Sequence, residues 1–518
     1  MSLAKPVLVV GGATMASRLM GFARDIMIAA ALGTGPVADA FFVAFRLPNL
    51  FRRTLGEGAL NAAFVPVYHR VKAQDGARAA LGFARRAFTL AAIGLAVLAL
   101  VGILAAPALV LALAGGFRDN PEKFALAVDY TRLAFPFVAL AALASLMAAA
   151  LNAERRFGLA ALAPVIVNVA LVGLLGAILA SGLAQGPGAR LLALGVSLAG
   201  ALQLIWLTLA LRRAWSRWPF GRPVWSPDMG RLAAMAIPGV IASGATQLAI
   251  VVATLVASTV PGAVSWLYYA DRVYQLPLGF VAVAMGTVLL PDLAARVRAG
   301  DHDGERTTID AACEMALLLT VPAGIALAIL AEPIVAVLFE RGAFAAGDSA
   351  ATAAALRLLA LGLPGAVLAK VLAQPFFARE QPTIPLLAAL GVVALTLLGG
   401  LLLVAPMGVG GIALAVSLAA TAQAGVLGIA LEKRGIARPG IGTFDRALRI
   451  ALASGVMGAS VAVMARAMHG WFDAALPFAV KGSALGLVCL AGLAIYLAVA
   501  HALGAIAPEL VSRARKGL

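Results

Sequence analysis

Between Ser17 and Pro66 the chain carries Arg18, Arg24, Asp25, Asp39, Arg46, Arg52 and Arg53 in a stretch otherwise apolar enough to cross a bilayer. One arginine at the centre of a membrane helix costs about 2.5 to 3.5 kcal/mol on insertion scales, so such a cluster marks function by default. The chemistry on offer is anion binding. Guanidinium is planar, stays charged in a partly dry site and grips two phosphate oxygens at once. Several convergent arginines in a hydrated cationic cavity therefore suit a polyanion such as a pyrophosphate. An exporter of organic cations would need the reverse, buried carboxylates and aromatic faces. Asp25 and Asp39 read as partners that hold arginines in place when the site is empty.

Helical geometry orders these positions. Seven residues are nearly two turns, so Asp39, Arg46 and Arg53 share one stripe, as do Arg18 with Asp25, Ser17 with Arg24, and Ser265 with Arg272. Pro48 removes a backbone donor, and Gly56 and Gly58 follow, so the second helix is expected to kink or break near Arg52 and to act as a gate. Glu57 and Lys370 join Asp25, Arg46 and Arg53 as candidate gating or charge-partner residues. The alternative for Arg46, Arg52 and Arg53 is a membrane-boundary position, with side chains snorkelling to water.

The elements that must position these residues are membrane helices. Hydrophobic residues make up 62% of the 518 and charged ones 12%, and the mean hydropathy is +0.98, values of a polytopic membrane protein. At about 20 residues per span, hydropathy broken at turn-forming clusters predicts about fourteen helices. They fall at 7–32, 36–66, 84–115, 126–151, 158–182, 190–211, 231–259, 263–294, 309–339, 348–378, 383–405, 408–431, 446–468 and 478–505. With both termini cytoplasmic, the inside loops hold most of the basic residues, from Arg70, Lys72 and Arg78 through Arg212, Arg213, Arg217 and Arg222 to Arg513, Arg515 and Lys516. Only Arg118, Lys123, Arg190, Arg341, Arg466 and Lys481 face outward. The positive-inside bias thus predicts cytoplasmic termini. The same distribution accounts for the net charge of +16 without nucleic acid. Lys5 before an apolar stretch resembles a signal peptide, but Arg18 and Arg24 interrupt the apolar core, and a retained first helix is expected.

Other chemistries lack their motifs. Cys313 and Cys489 lie in different predicted helices, and His69, His302, His469 and His501 are scattered, so neither a disulfide framework nor metal-ligand spacing is present. No H-E-x-x-H, G-x-S-x-G or Walker A sequence occurs. No enzyme, cofactor or bound metal is expected; the energy for any transport would come from a gradient, from the substrate or from a partner, with coupling to the membrane potential or a monovalent cation as candidates between which the sequence does not choose. A weak internal repeat is visible. The stretch Asp39–Pro48 can be laid on Ser265–Tyr274, and Val65-Pro66 on Leu290-Pro291, at an offset of about 225 residues, which spans six segments. Six crossings return the chain to the same side, which predicts two six-helix lobes in parallel repeat. The lobes would be 1–213 and 231–433, joined by a cytoplasmic linker 214–230 and followed by two further helices and a tail in 434–518.

The residues also carry a resemblance. SRLMGFARD (Ser17–Asp25), DAFFVAFRLPNLFRR (Asp39–Arg53), EGA (Glu57–Ala59), AFVP (Ala63–Pro66), SWLYYADR (Ser265–Arg272), GTVLLP (Gly286–Pro291), GDHD (Gly300–Asp303) and KVLAQPFF (Lys370–Phe377) resemble the MurJ/MviN family of bacterial lipid II flippases. That resemblance implies an all-α, fourteen-helix protein of the multidrug/oligosaccharidyl-lipid/polysaccharide exporter superfamily, located in the bacterial inner membrane. It implies two lobes around a central cationic cavity and a substrate, undecaprenyl-pyrophosphate-linked disaccharide pentapeptide, moved to the periplasmic leaflet by alternating access. Arg18, Arg24 and Arg272 match the family's cavity arginines, Asp39 and Arg52 match further charged positions, and the last two helices match a groove for the lipid tail. Ser17 and Ser265 join them as candidate substrate-binding residues. Gln275 stands where relatives often carry an acid, and the region Arg379–Pro382 lacks an aspartate found in some members, so no ionic role is transferred to either. Membrane lipids and cell-wall synthesis proteins are the other expected partners. A flippase for another lipid-linked oligosaccharide, a cation-coupled exporter of the same fold and a lipid-binding scaffold are the competing readings.

Overall fold

Several helix breaks in this chain sit just before a proline, which offers no amide donor and crowds the preceding turn, although other prolines, such as Pro277 and Pro322, lie inside continuous helices. The computed structural model describes residues 4–51, 54, 60–245, 247–437, 441–472 and 476–506. Two compact units meet in sequence at Ser265 and Trp266.

The first unit holds α1 (Ala4–Leu32), α2 (Pro36–Phe51), α3 (Leu60–Leu104), α4 (Ala106–Leu113), α5 (Pro121–Ala134), α6 (Pro136–Ala153), α7 (Phe157–Ala161), α8 (Ala163–Ser181), α9 (Gln185–Trp215), α10 (Pro227–Ala245), α11 (Leu248–Ala257) and the start of α12 (Ala263–Ala299). A 3-10 turn, Gly115–Asp119, joins α4 to α5. Its core packs Phe64, Tyr68, Phe83 and Phe88 of α3 against Leu146, Met147 and Leu151 of α6 and Leu207 and Trp215 of α9. α3 covers more than one predicted segment. It reverses at Gly76, whose φ of 86° and ψ of 173° suit only a residue without a side chain.

Beyond Trp266, α12 leads into α13 (His302–Ile329), α14 (Ala331–Phe339), α15 (Ala346–Leu361), α16 (Leu363–Ala378), α17 (Thr383–Met407), α18 (Val409–Lys433), α19 (Ile441–Ala467) and α20 (Phe478–Ala502). Here α13 is tied to α16 by the Arg379–Glu305 ion pair and to α19 by Arg446 Nη1 on Glu314 (2.5 Å). Tyr496 Oη of α20 donates to the Leu318 carbonyl of α13 (2.7 Å).

Among the described residues the secondary structure is helical throughout. Nine helical stretches there are long and apolar enough to cross a membrane, ten when α15 and α16, bent by 41°, count as one span. That is consistent with fourteen segments, several of which are realised as two helices in series. Breaks fall just before Pro107, Pro136, Pro164, Pro333 and Pro364. The sequence of breaks recurs: the one at Ala105 between α3 and α4 is matched at Leu330 between α13 and α14, and the one at Phe135 by that at Gly362. Outward rows of leucine, such as Leu387, Leu398 and Leu402 of α17 and Leu487, Leu490 and Leu493 of α20, give lipid-facing surface. The segment 231–265, expected with the second lobe, lies in the first compact unit, where polar contacts bind α11 and the start of α12 to α2 and the 3-10 turn.

Candidate anion-binding site

Arg24 is the best-organised cation of α1. Its Nε and Nη2 both donate to Asp25 Oδ1 (3.1 and 2.8 Å), and its Nη1 donates to Oδ1 of Asn168 on α8 (3.0 Å). Asn168 in turn donates through Nδ2 to the carbonyl (3.0 Å) and hydroxyl (3.2 Å) of Ser17. The Phe45 ring of α2 lies 5.3 Å from the guanidinium carbon, within cation–π range. Arginine has five N–H donors and these contacts use three, which leaves one on each terminal nitrogen for a ligand. A guanidinium fixed through all three nitrogens with two donors to spare suits a phosphate. Arg18, a stripe-mate of Asp25, is exposed, and Ser17 is half-buried.

Asp39 has a different setting. It is 0% exposed and all of its acceptor capacity is used. Oδ2 accepts from Lys123 Nζ (2.6 Å) and the Gly262 amide (3.0 Å). Oδ1 accepts from the Ser265 amide (2.9 Å) and hydroxyl. Asp39, expected to steady an arginine, is thus paired with lysine, because Asn120 caps α5 and Pro121 starts it so that Lys123, 6% exposed, points inward. The Phe117 ring backs Lys123 Nζ at 4.1 Å. In this state neither Asp39 nor Ser265 presents a free polar atom to a ligand. Arg46, on the same stripe, donates to Thr254 Oγ1 and the Ile250 carbonyl of α11. A third contact sits nearby. The Gly116 amide donates to Ser258 Oγ (2.9 Å), and a Cβ at Gly116 would lie 2.6 Å from the Ser258 backbone. The stripe is real, but its described members fasten helices together.

Arg272 is half-buried, with its guanidinium carbon 4.6 Å from the Tyr268 ring centroid. Gln275, one turn on, donates to Asp271. Lys370 is exposed on α16. Arg52, Arg53 and Glu57, and with them the expected break near Arg52, lie outside the described residues. Sequence reasoning missed Asn168. The available signal was an amide in the middle of the uncharged run Phe157–Ala189, well before Gln185 near its end, since a polar side chain in a membrane helix needs a partner. Among the described residues no group of His, Cys, Asp and Glu side chains comes together to hold a metal ion.

Residues 28–483 match the family model described as Lipid II flippase MurJ. A probable lipid II flippase MurJ of Rhizobium meliloti is 39% identical over 517 residues, covering 100% of this chain and 97% of the relative. The lipid II flippase MurJ of Burkholderia cenocepacia is 36% identical over 452 residues, 85% of this chain and 86% of that one. Among solved structures, lipid II flippase MurJ in an inward closed conformation superposes with a TM-score of 0.78 at 22% identity, over 95% of this chain and 98% of that one. An inward-facing multidrug resistance MATE transporter of the MOP superfamily gives 0.66 at 16% identity, over 81% and 94%. At these identities the two structures speak for the fold.

Proposed function

The chain belongs to the lipid II flippase MurJ family, and on that premise we propose that it carries lipid II across the bacterial inner membrane by alternating access, with Arg24 gripping the pyrophosphate. The observation that carries this reading is the Arg24 centre: a guanidinium oriented by Asp25, Asn168 and Phe45, with two donors to spare. The pyrophosphate is the one part of a polyprenyl-linked sugar-peptide whose charge a membrane interior rejects most strongly, so fixed cations lower the barrier where it is highest. The polyprenyl tail stays in lipid. We assign anion-binding roles to the exposed Arg18 and to Arg272 as well.

The termini are cytoplasmic in this reading, supported by the basic loops. The Asp39–Lys123 clasp, with Gly262 and Ser265, then lies at the outward end and must be released for the head group to leave on that side. Net movement draws on the membrane potential or on a coupled monovalent cation; collapsing the potential at constant ion gradient separates the two. The test is growth of a strain depleted of its own lipid II flippase. The intact chain restores growth and Arg24→Ala, present at equal level in the membrane, does not; rescue by both, or drug resistance without rescue, would refute the reading.

A further inference from the structure

The stretch from Leu191 to Pro227 contains Arg212, Arg213, Arg217 and Arg222 and no acidic residue. Short basic loops follow from topology alone. Topology does not explain the other features of this one. Trp218 and Trp225 are 51% and 66% exposed, and indole exposed beside a membrane helix is most stable at headgroup level, with its ring in the interface. The linker is also held in place: Arg85 of α3 donates through Nε and Nη2 to the Phe220 carbonyl (3.2 and 2.9 Å), and the Gly221 amide donates to Thr89 Oγ1 (2.9 Å). A Cβ at Gly221 would meet Arg85 Cβ at 3.2 Å. The arginines are therefore displayed from a docked strap. Arg212 lies 5.9 Å from the Trp218 ring centroid. Beneath the strap, Trp215 is 9% exposed and stacks on Phe88 at 5.8 Å, and its indole Nε1, like Arg86 Nε and Ser226 Oγ, is buried without a hydrogen-bond partner among the described residues.

We propose that the end of α9 and the linker 216–226 form a binding surface for anionic phospholipid headgroups, the phosphates held by Arg212, Arg213, Arg217 and Arg222 and the glycerol level marked by Trp218 and Trp225. This goes beyond the transport reading and needs no lipid II. The cations lie along an open surface, which fits several bilayer lipids better than one pyrophosphate. Each arginine near an anionic surface is worth about a fivefold preference.

The full chain, reconstituted in phosphatidylcholine vesicles containing brominated phosphatidylglycerol or brominated phosphatidylcholine, reports contact through tryptophan quenching; the part lost in Trp218→Phe/Trp225→Phe belongs to the linker. The surface predicts at least fivefold stronger association of phosphatidylglycerol there, lowered by salt and reduced toward parity in Arg217→Gln/Arg222→Gln. It also predicts that the control Lys433→Gln/Arg434→Gln keeps the preference. Equal quenching by the two lipids, quenching by neither, or an unchanged preference in Arg217→Gln/Arg222→Gln would overturn the proposal. So would displacement of brominated phosphatidylglycerol by undecaprenyl pyrophosphate at far lower mole fraction than by unlabelled phosphatidylglycerol, which would make the strap a substrate site. Failure of growth rescue leaves this assay untouched, so the two claims fail separately.

Discussion

Asp25 and Asp39 are both buried acids in an apolar, arginine-rich stretch, and their surroundings give them opposite jobs. Asp25 engages Nε and Nη2 of Arg24 and Asn168 takes one Nη1 donor, which leaves one donor on each terminal nitrogen. Asp39 is saturated by an ammonium, two amides and a hydroxyl, and with Lys123 it closes on itself. On the proposed reading, a buried carboxylate in a membrane protein serves ligand binding when it orients a cation that has donors left over. When its own acceptors are all consumed, it serves as a fastener.

The largest effect expected from breaking this contrast is at the fastener. Asp39→Ala leaves Lys123 buried without its counter-charge and should cost about 3 to 5 kcal/mol, read as a fall in thermal midpoint of the detergent-purified protein. Asp39→Leu/Lys123→Met, which removes both charges, should recover most of that loss; if the double variant is as unstable as the single, the ion pair is not the source. Arg24→Ala/Asp25→Asn, which removes the cation without leaving a buried acid unpaired, should do the converse, leaving the thermal midpoint near that of the intact chain while lowering lipid II affinity by roughly 2 to 5 kcal/mol. Equal losses of stability and binding would erase the distinction.

Asn168→Ala should weaken lipid II binding by about 1.5 to 3 kcal/mol, because a hydrogen bond to a charged group is lost and Arg24 is no longer held from its Nη1 side. Unchanged affinity would leave Asp25 and Phe45 as the orienting groups. The smallest effect belongs to a partly exposed pair that serves as a baseline. Glu154 accepts from Tyr68 Oη (2.5 Å) and Lys72 Nζ (2.9 Å). Burial pushes its carboxyl up, but these hydrogen bonds and the charges of Lys72 and His69 outweigh burial and hold it below the usual carboxylate range. A depressed acid contributes stability above its unfolded value of about 4.3, and loses it as pH falls through the folded value. The thermal midpoint should therefore drop below about pH 4.3 more steeply in the intact chain than in Glu154→Gln. Parallel curves would show that this acid contributes nothing.

Much of this was legible in the sequence. Hydropathy located the helices, and Arg24 beside Asp25 stood out because the two are adjacent in an apolar stretch. What stayed hidden was partnership at long range. Asn168 lies 144 residues from Arg24 and Lys123 lies 84 from Asp39, and helical spacing reports which side chains share a face without saying what that face meets. Lys123 shows this directly: its place among the few basic residues expected on the outward side of the membrane said nothing of its side chain, which a capped helix start aims at Asp39. The division of the chain followed the same rule. The repeat of six segments puts a linker at 214–230, and the contacts of Arg46, Gly116 and Asp39 join the segment that follows it, up to Ser265, to the first compact unit.

The most direct test of the central claim is the accessibility of lipid II at the outer face of flippase-depleted cells expressing the intact chain, Arg24→Ala, or Asp39→Leu/Lys123→Met. The account predicts that the intact chain restores accessibility and that Arg24→Ala, at equal membrane abundance, leaves lipid II inside. Restoration by Arg24→Ala at the level of the intact chain would contradict it.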